Sequence, residues 1–209
     1  MRYLIRGLAL GAAFVAVSCL AWDRGAQPVV ADPTTVQEVR LEGVTDLDML
    51  HQVRTELEKA TAKDSKTKTL RIKISSPGGP ALIGLEIARI LRNASEAGLV
   101  VEIHGEAVCA SACTFIMAAG TPGSRYVSHW ALTLVHPMQS NGSCVPYVDH
   151  PKKAEDKINN TLYEIARDAY VRYTGQTPAT VEQWLTCGNE QPGFGDLLVK
   201  LKIADKVEA

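Results

Sequence analysis

Residues 69–103 constrain the fold of this chain more than any other stretch. Leu70, Ile72 and Ile74 alternate with Arg71 and Lys73, the two-residue period of a half-buried strand. The run breaks at Pro77-Gly78-Gly79, and Ile83, Ile87, Ile90 and Leu91 then recur at helical spacing behind Pro80, a residue suited to a helix first turn. Gly98 ends that helix, and the apolar run Leu99–Ile103 reads as a second strand. A strand, a helix and another strand in 35 residues leave little choice. A helical crossover joins parallel neighbours, so the chain predicts an α/β domain with a mainly parallel sheet.

The flanking sequence repeats the alternation. Residues 36–44 read as a first strand, and Thr45-Asp-Leu-Asp48 as a capped helix start whose apolar face is Leu50, Val53, Leu57 and Ala60. A small-residue helix follows Ser111, short strands are expected over 125–128 and 131–136, and 138–150 reads as a loop. Ile158, Leu162, Ile165, Ala169 and Tyr173 place a long helix over about 152–173, closed by Gly175. A short helix around 181–185 and a final segment over 197–207 complete the domain.

The N-terminus has a different character. Residues 1–6 carry two arginines, residues 7–22 are uncharged and apolar, and small residues follow up to Val29-Val30-Ala31. This predicts a secretory signal peptide over 1–31, ahead of a single domain over 32–209. An uncleaved anchor tethering the protein to a membrane is the alternative, although the run is shorter than a spanning helix needs. Lipid attachment at Cys19 is a third reading. All three place the domain outside the cytoplasm, periplasmic or secreted, or membrane-anchored and facing outward. Cys109, Cys113, Cys144 and Cys187 are an even number, as an oxidising compartment favours, and their three pairings stay open. Their spacing is not that of a zinc ribbon or finger, so no metal and no cofactor is expected. With 209 residues, 46% of them hydrophobic, and a net charge of −1, the chain carries no Lys/Arg stripe, which excludes a nucleic-acid footprint.

Chemistry concentrates in 105–136. Ser111 stands at a turn into a helix, where N–H groups and the positive end of the dipole support developing negative charge. His136, at the end of a strand, is a candidate proton acceptor for it. The Pro-Gly-Gly turn upstream leaves backbone N–H groups free. Nucleophile, base and amide donors together are the parts of an acyl-transfer site. Gly78, Ser111 and His136 all fall at carboxyl ends of predicted strands, where parallel sheets form their ligand crevice.

Ser76-Pro-Gly-Gly79, Gly105-x-Ala-x-x-Ala-Ser111, Ala118-Ala-Gly120, Arg125-Tyr126, Val135-His136-Pro137 and Thr174-Gly-Gln176 resemble the proteolytic subunit of the Clp protease, within the ClpP/crotonase superfamily. The resemblance covers about residues 35–207 and is strongest over 70–137. It implies repeated β-β-α units, Ser111 as nucleophile, His136 as general base, and the N–H groups of Gly78 and Ala112 as the oxyanion hole. A homo-oligomer is the assembly it implies. The pattern departs at the third triad member, because the position of the family's Asp falls on Trp184. Glu182, Asn189 and Glu190 are the candidate substitutes for orienting His136.

The expected function is therefore an exported serine peptidase acting on a peptide or protein substrate, without an ATPase partner, since none has fuel outside the cytoplasm. The alternative is a weak or inactive protein on the same fold that binds peptides or a protein partner. A crotonase-type thioester enzyme is disfavoured, because acyl-CoA substrates are cytoplasmic and such sites need no Ser/His pair.

Overall fold

The computed structural model describes residues 35–208. The expected signal peptide or anchor, and Cys19, lie outside the described residues. The elements run β1 (Val36–Glu42), α1 (Leu47–Thr61), β2 (Thr69–Ser76), α2 (Ala81–Glu96), β3 (Val100–Ala110), α3 (Ala112–Ala119), β4 (Arg125–Ser128), β5 (Leu132–Val135), β6 (Gln139–Ser140), β7 (Ser143–Cys144), α4 (Ala154–Thr174), α5 (Pro178–Trp184), β8 (Gln191–Gly193), α6 (Gly195–Lys200) and β9 (Lys206–Glu208).

Among the described residues seven strands form one sheet, ordered β1-β2-β3-β4-β9, with β5 joined to β3 and β8 to β5. Every pairing in it is parallel except β5 with β8. The alternating residues of β2 fill the core as predicted: Leu70, Ile72 and Ile74 are fully buried, and so are Val101 and Ile103 beside them. Ile87 and Leu91 of α2 and Ile116 and Met117 of α3 cover them. At about 25 cal/mol per Å² of apolar surface, each such side chain contributes roughly 1.5–3 kcal/mol.

β3 is longer than its sequence suggests, and its second half forks the sheet. Ile103–Gly105 pair with β4, whereas Val108–Ala110 pair with β5. The register with β2 shifts between Ile74 and Ser76, so the strand can serve two branches and end at Ser111. Apolar periodicity stops at Ile103 because Gly105-Glu-Ala107 interrupts it, and the partners that extend the strand lie far along the chain. Residues 138–150 are also less irregular than expected. Asn141 and Gly142 both take positive φ, 51° and 77°, and turn β6 into β7 as an Asn-Gly hairpin.

One edge is held by charge. His104 bonds through Nε2 to Glu102 at 2.6 Å and through Nδ1 to Glu208 of β9 at 2.9 Å, while its ring stacks on Tyr126. Burial opposes protonation of His104, but the two carboxylates outweigh it and hold its pKa above the ordinary value. The same contact, helped by Arg71, holds Glu102 down at about 2 despite its burial. A raised histidine pKa gives stability that is full below the ordinary imidazole value near 6.5 and disappears as pH climbs through the raised one. Wild type is therefore expected to lose thermal stability as pH rises above the ordinary imidazole value of about 6.5, and His104→Gln is expected to flatten that loss. Equal pH slopes in the two melting series would contradict the assignment.

Candidate active site

Ser111 sits between β3 and α3 with φ 55° and ψ −126°, the conformation of the first central residue of a II′ turn, normally a glycine position. Holding a serine there costs about 1–3 kcal/mol and swings its side chain out of the helix run, as in other strained strand-to-helix nucleophile turns. The turn is fixed on both sides. The Ser111 N–H donates to Leu134 O at 2.8 Å, and Ser111 O accepts the Thr114 N–H at 2.9 Å. Cys109 and Cys113 form a disulfide around it. Ser111 does not cap α3 with its side chain, which removes the commonest structural use of a serine at this position.

The Pro-Gly-Gly turn lies directly against this serine. Gly78 has φ 98°, and a Cβ added there would stand 2.5 Å from Ser111 Cβ and 2.9 Å from Ala112 N. Ala112, the first residue of α3, has one of the N–H groups a helix start leaves without an intrahelical partner. The Gly78 N–H, expected to be free, donates instead to Ser76 Oγ at 3.1 Å. Ser76 in turn meets Thr45 Oγ1 at 3.0 Å, and the Thr45 N–H donates to Gly78 O at 2.9 Å. The sequence places Thr45 in the cap of α1. Asp46 performs that task by accepting from Met49 N, while the fully buried Thr45 locks the glycine turn. No local pattern announces this role, because the two segments are 31 residues apart and meet only across parallel β1 and β2.

Ser111, Ala112, His136, Gly79 and Pro77 line one cavity of about 460 Å³. Phe115, Leu134, Met138 and Tyr170 give it an apolar wall, and among the described residues no Asp, Glu, Lys or Arg belongs to its lining. His136 is half-buried just past β5, and its Nδ1 lies 2.6 Å from the backbone carbonyl of Pro137. A carbonyl only accepts, so this bond puts the proton on Nδ1 and leaves Nε2 with its lone pair.

The three expected substitutes for the third triad member lie elsewhere. Glu182 Oε1 is 3.4 Å from Arg167, whereas Asn189 and Glu190 are exposed on the turn before β8, and none of them bonds His136. The region that departs from the triad pattern is packed apolar. Trp184 is 4% exposed and meets the ring of Tyr170 edge-on, and Tyr170 in turn leans on Phe115. The other two cysteines also find each other: Cys144, on the hairpin beside the cavity, pairs with Cys187 after α5. This tethers the hairpin carrying Gln139 and Gly142, two residues of the cavity lining.

Gly78→Ala is expected to push the glycine turn away from Ser111, since the nearest atoms are backbone or a Cβ that cannot yield. Loss of one aligned oxyanion donor costs roughly 10²–10³ in turnover. Peptide-ester hydrolysis by a folded Gly78→Ala protein at more than a tenth of the wild-type rate would contradict the placement.

The sequence model of the Clp protease family matches residues 33–188. An ATP-dependent Clp protease proteolytic subunit of Mesostigma viride is 30% identical over 120 residues, which cover 54% of this chain and 47% of that protein. The same subunit of Chlorokybus atmophyticus is 29% identical over 119 residues, 54% of this chain and 48% of the relative. The matched part thus spans about half the length of these curated relatives. With three quarters of the residues inside the family model and a mainly parallel sheet ending in a serine elbow, the chain belongs to the Clp protease family.

Proposed function

We propose that this protein is an exported serine peptidase that hydrolyses peptide bonds through Ser111 and His136 without ATP. The observation that carries the reading is the meeting of a strained Ser111, His136 and the Gly78 turn at one cavity. His136 Nε2 takes the Ser111 proton as the hydroxyl attacks the carbonyl carbon. The tetrahedral oxyanion is received by the N–H groups of Ala112 and Gly78. The Gly78 bond to Ser76 is neutral and long, and an oxyanion competes with it well, because charge-assisted bonds are about twice as strong. The proton then passes from His136 to the leaving amine, and water repeats the sequence on the acyl-enzyme. The uncharged lining suits a peptide that places an apolar side chain beside the cut.

Two disulfides support an oxidising compartment, and with it a peptidase working apart from any ATP-driven unfoldase. The Pro137 carbonyl orients the ring but carries less charge than a carboxylate to balance the imidazolium. Slow turnover follows, and the same observation favours the second reading, a peptide-binding protein with little or no catalysis. Fluorophosphonate labelling separates the two. The oxidised protein is expected to label on one residue, and Ser111→Ala to abolish it. Folded wild type that stays unlabelled after prolonged exposure would favour the binding role.

A further inference from the structure

Behind Ser111 lies a hydrogen-bond chain that the peptidase chemistry does not use. The Thr114 hydroxyl is 2.6 Å from Ser111 O and donates to it, since a carbonyl can only accept. The Tyr170 hydroxyl of α4 is 2.5 Å from the same Thr114 oxygen. With the Thr114 proton committed to the carbonyl, Tyr170 is the donor, and the order is Tyr170 O–H to Thr114 Oγ1 to Ser111 O. Thr114 is fully buried and Tyr170 is 2% exposed, so water does not compete with either bond. Burial also pushes the Tyr170 pKa upward, which keeps the phenol protonated as a donor. Its ring is fixed between Phe115 at 4.6 Å and Trp184 at 5.8 Å, centroid to centroid.

A threonine bonding back to the carbonyl three residues earlier is common in helices and by itself means little. Here that carbonyl belongs to a cavity residue with a strained backbone, and it receives two donors from Thr114, the backbone N–H and the hydroxyl. Rotation of Ser111 toward an ordinary helical or extended conformation would turn this carbonyl away from both. A residue in a sparsely populated conformation persists only when its surroundings over-determine it.

We propose that Thr114 and Tyr170 are positioning residues: they hold the Ser111 carbonyl, and through it the strained backbone that aims the Ser111 hydroxyl into the cavity. The assignment of a task to that hydroxyl rests on the peptidase reading; the bracing of the backbone does not. The Cys109–Cys113 disulfide is the second brace, acting on the residues two before and two after the serine.

Four proteins test this: wild type, Thr114→Val, Thr114→Ser and Tyr170→Phe, each oxidised and checked for folding by circular dichroism. The first readout is hydrogen exchange of the amides of residues 111–114. Exchange is expected to quicken at least tenfold in Thr114→Val, severalfold in Tyr170→Phe, and hardly at all in Thr114→Ser, which keeps the hydroxyl. The second is the rate of Ser111 phosphonylation by a fluorophosphonate and of peptide-ester turnover. Thr114→Val is expected to lower kcat and the phosphonylation rate about 10- to 100-fold with KM within twofold, and Thr114→Ser to stay within threefold of wild type. Unchanged exchange in both Thr114→Val and Tyr170→Phe overturns the brace, as does a Thr114→Ser protein as impaired as Thr114→Val. If wild type itself neither reacts with the fluorophosphonate nor turns over the ester, the peptidase reading falls, and the exchange data still decide the brace. Should Thr114→Val not fold, Tyr170→Phe, which loses only an oxygen, decides the brace by the same exchange measurement.

Discussion

His136→Ala is expected to lower kcat about 10³-fold while leaving KM within a few-fold and the fold intact. The size of the loss follows from what stands behind the ring. In a carboxylate-backed triad, removing the histidine costs about 2 × 10⁶ in kcat and removing the carboxylate alone about 3 × 10⁴. An imidazole with nothing behind it would thus be worth only their quotient, roughly 10². Here Nδ1 is not bare: the Pro137 carbonyl at 2.6 Å fixes the tautomer and the ring plane, so more than the lower bound survives. It brings a dipole rather than a full charge, so the value stays far below the complete triad. Steady-state kinetics on an activated peptide ester, with single-turnover acylation alongside, would measure it. A variant within fivefold of wild type would remove His136 from the reaction. A loss near 10⁶ would instead mean that a carboxylate reaches the ring during turnover.

The largest stability effect is expected at Asp205, far from the cavity. Its carboxylate accepts from Arg125 Nε at 2.9 Å, from an Arg125 terminal nitrogen at 2.5 Å, and from the backbone N–H groups of Gly123 and Arg125. Burial works against its charge, but the Arg125 guanidinium and these donors prevail and hold its pKa below the ordinary value. Arg125 also bonds the carbonyls of Ala118 and Tyr173, and the buried Arg92 reaches the same two from the other side while lying over the Tyr173 ring. Arg125 thus pairs with one carboxylate in a largely buried space with a second guanidinium beside it, and the Nε of Arg92 has no hydrogen-bond partner among the described residues. Burial and the neighbouring Arg125 depress the Arg92 pKa.

Asp205→Asn leaves the Arg125 guanidinium without its carboxylate, and breaking a buried pair this way costs about 3–5 kcal/mol. For a domain of this size that is a fall in melting temperature of roughly 6–20 °C. Adding Arg92→Met should restore part of the loss, because it removes the neighbouring cation that repels Arg125. The same bond sets an acid limit. A depressed carboxylate pKa gives stability that is present above about pH 4 and lost as pH falls through the folded value. A change under 2 °C in the single variant, or strict additivity in the double one, would contradict this account of the cluster.

Much of this protein can be read along the chain, and particular residues show why. The alternation of Leu70, Ile72 and Ile74, the helical repeat from Ile83 to Leu91 and the Pro-Gly-Gly break are all local signals, each decided by neighbours within a turn or two. They dictate parallel strands with helices between them, and hence which ends of which strands meet. Ser111 and His136 follow from the same logic, since a parallel sheet brings its carboxyl-terminal ends to one edge. The antiparallel strand β8 is invisible in the sequence, because Gln191-Pro-Gly193 has no strand pattern and gains its ladder only by lying along β5.

The partners of the functional groups belong to the tertiary structure alone. Four cysteines allow three pairings, and only the folded distances join 109 with 113 and 144 with 187. The ring of His136 bonds a carbonyl on its own neighbour, where the triad pattern implies a distant side chain. Thr45 reads as part of a helix start and Tyr170 falls within the long helix, yet one locks the glycine turn and the other reaches the serine elbow. The reason is common to all of them. Periodicity records which face of an element is apolar, whereas a hydrogen bond between residues dozens of positions apart depends on a tenth of a nanometre in how two buried elements approach.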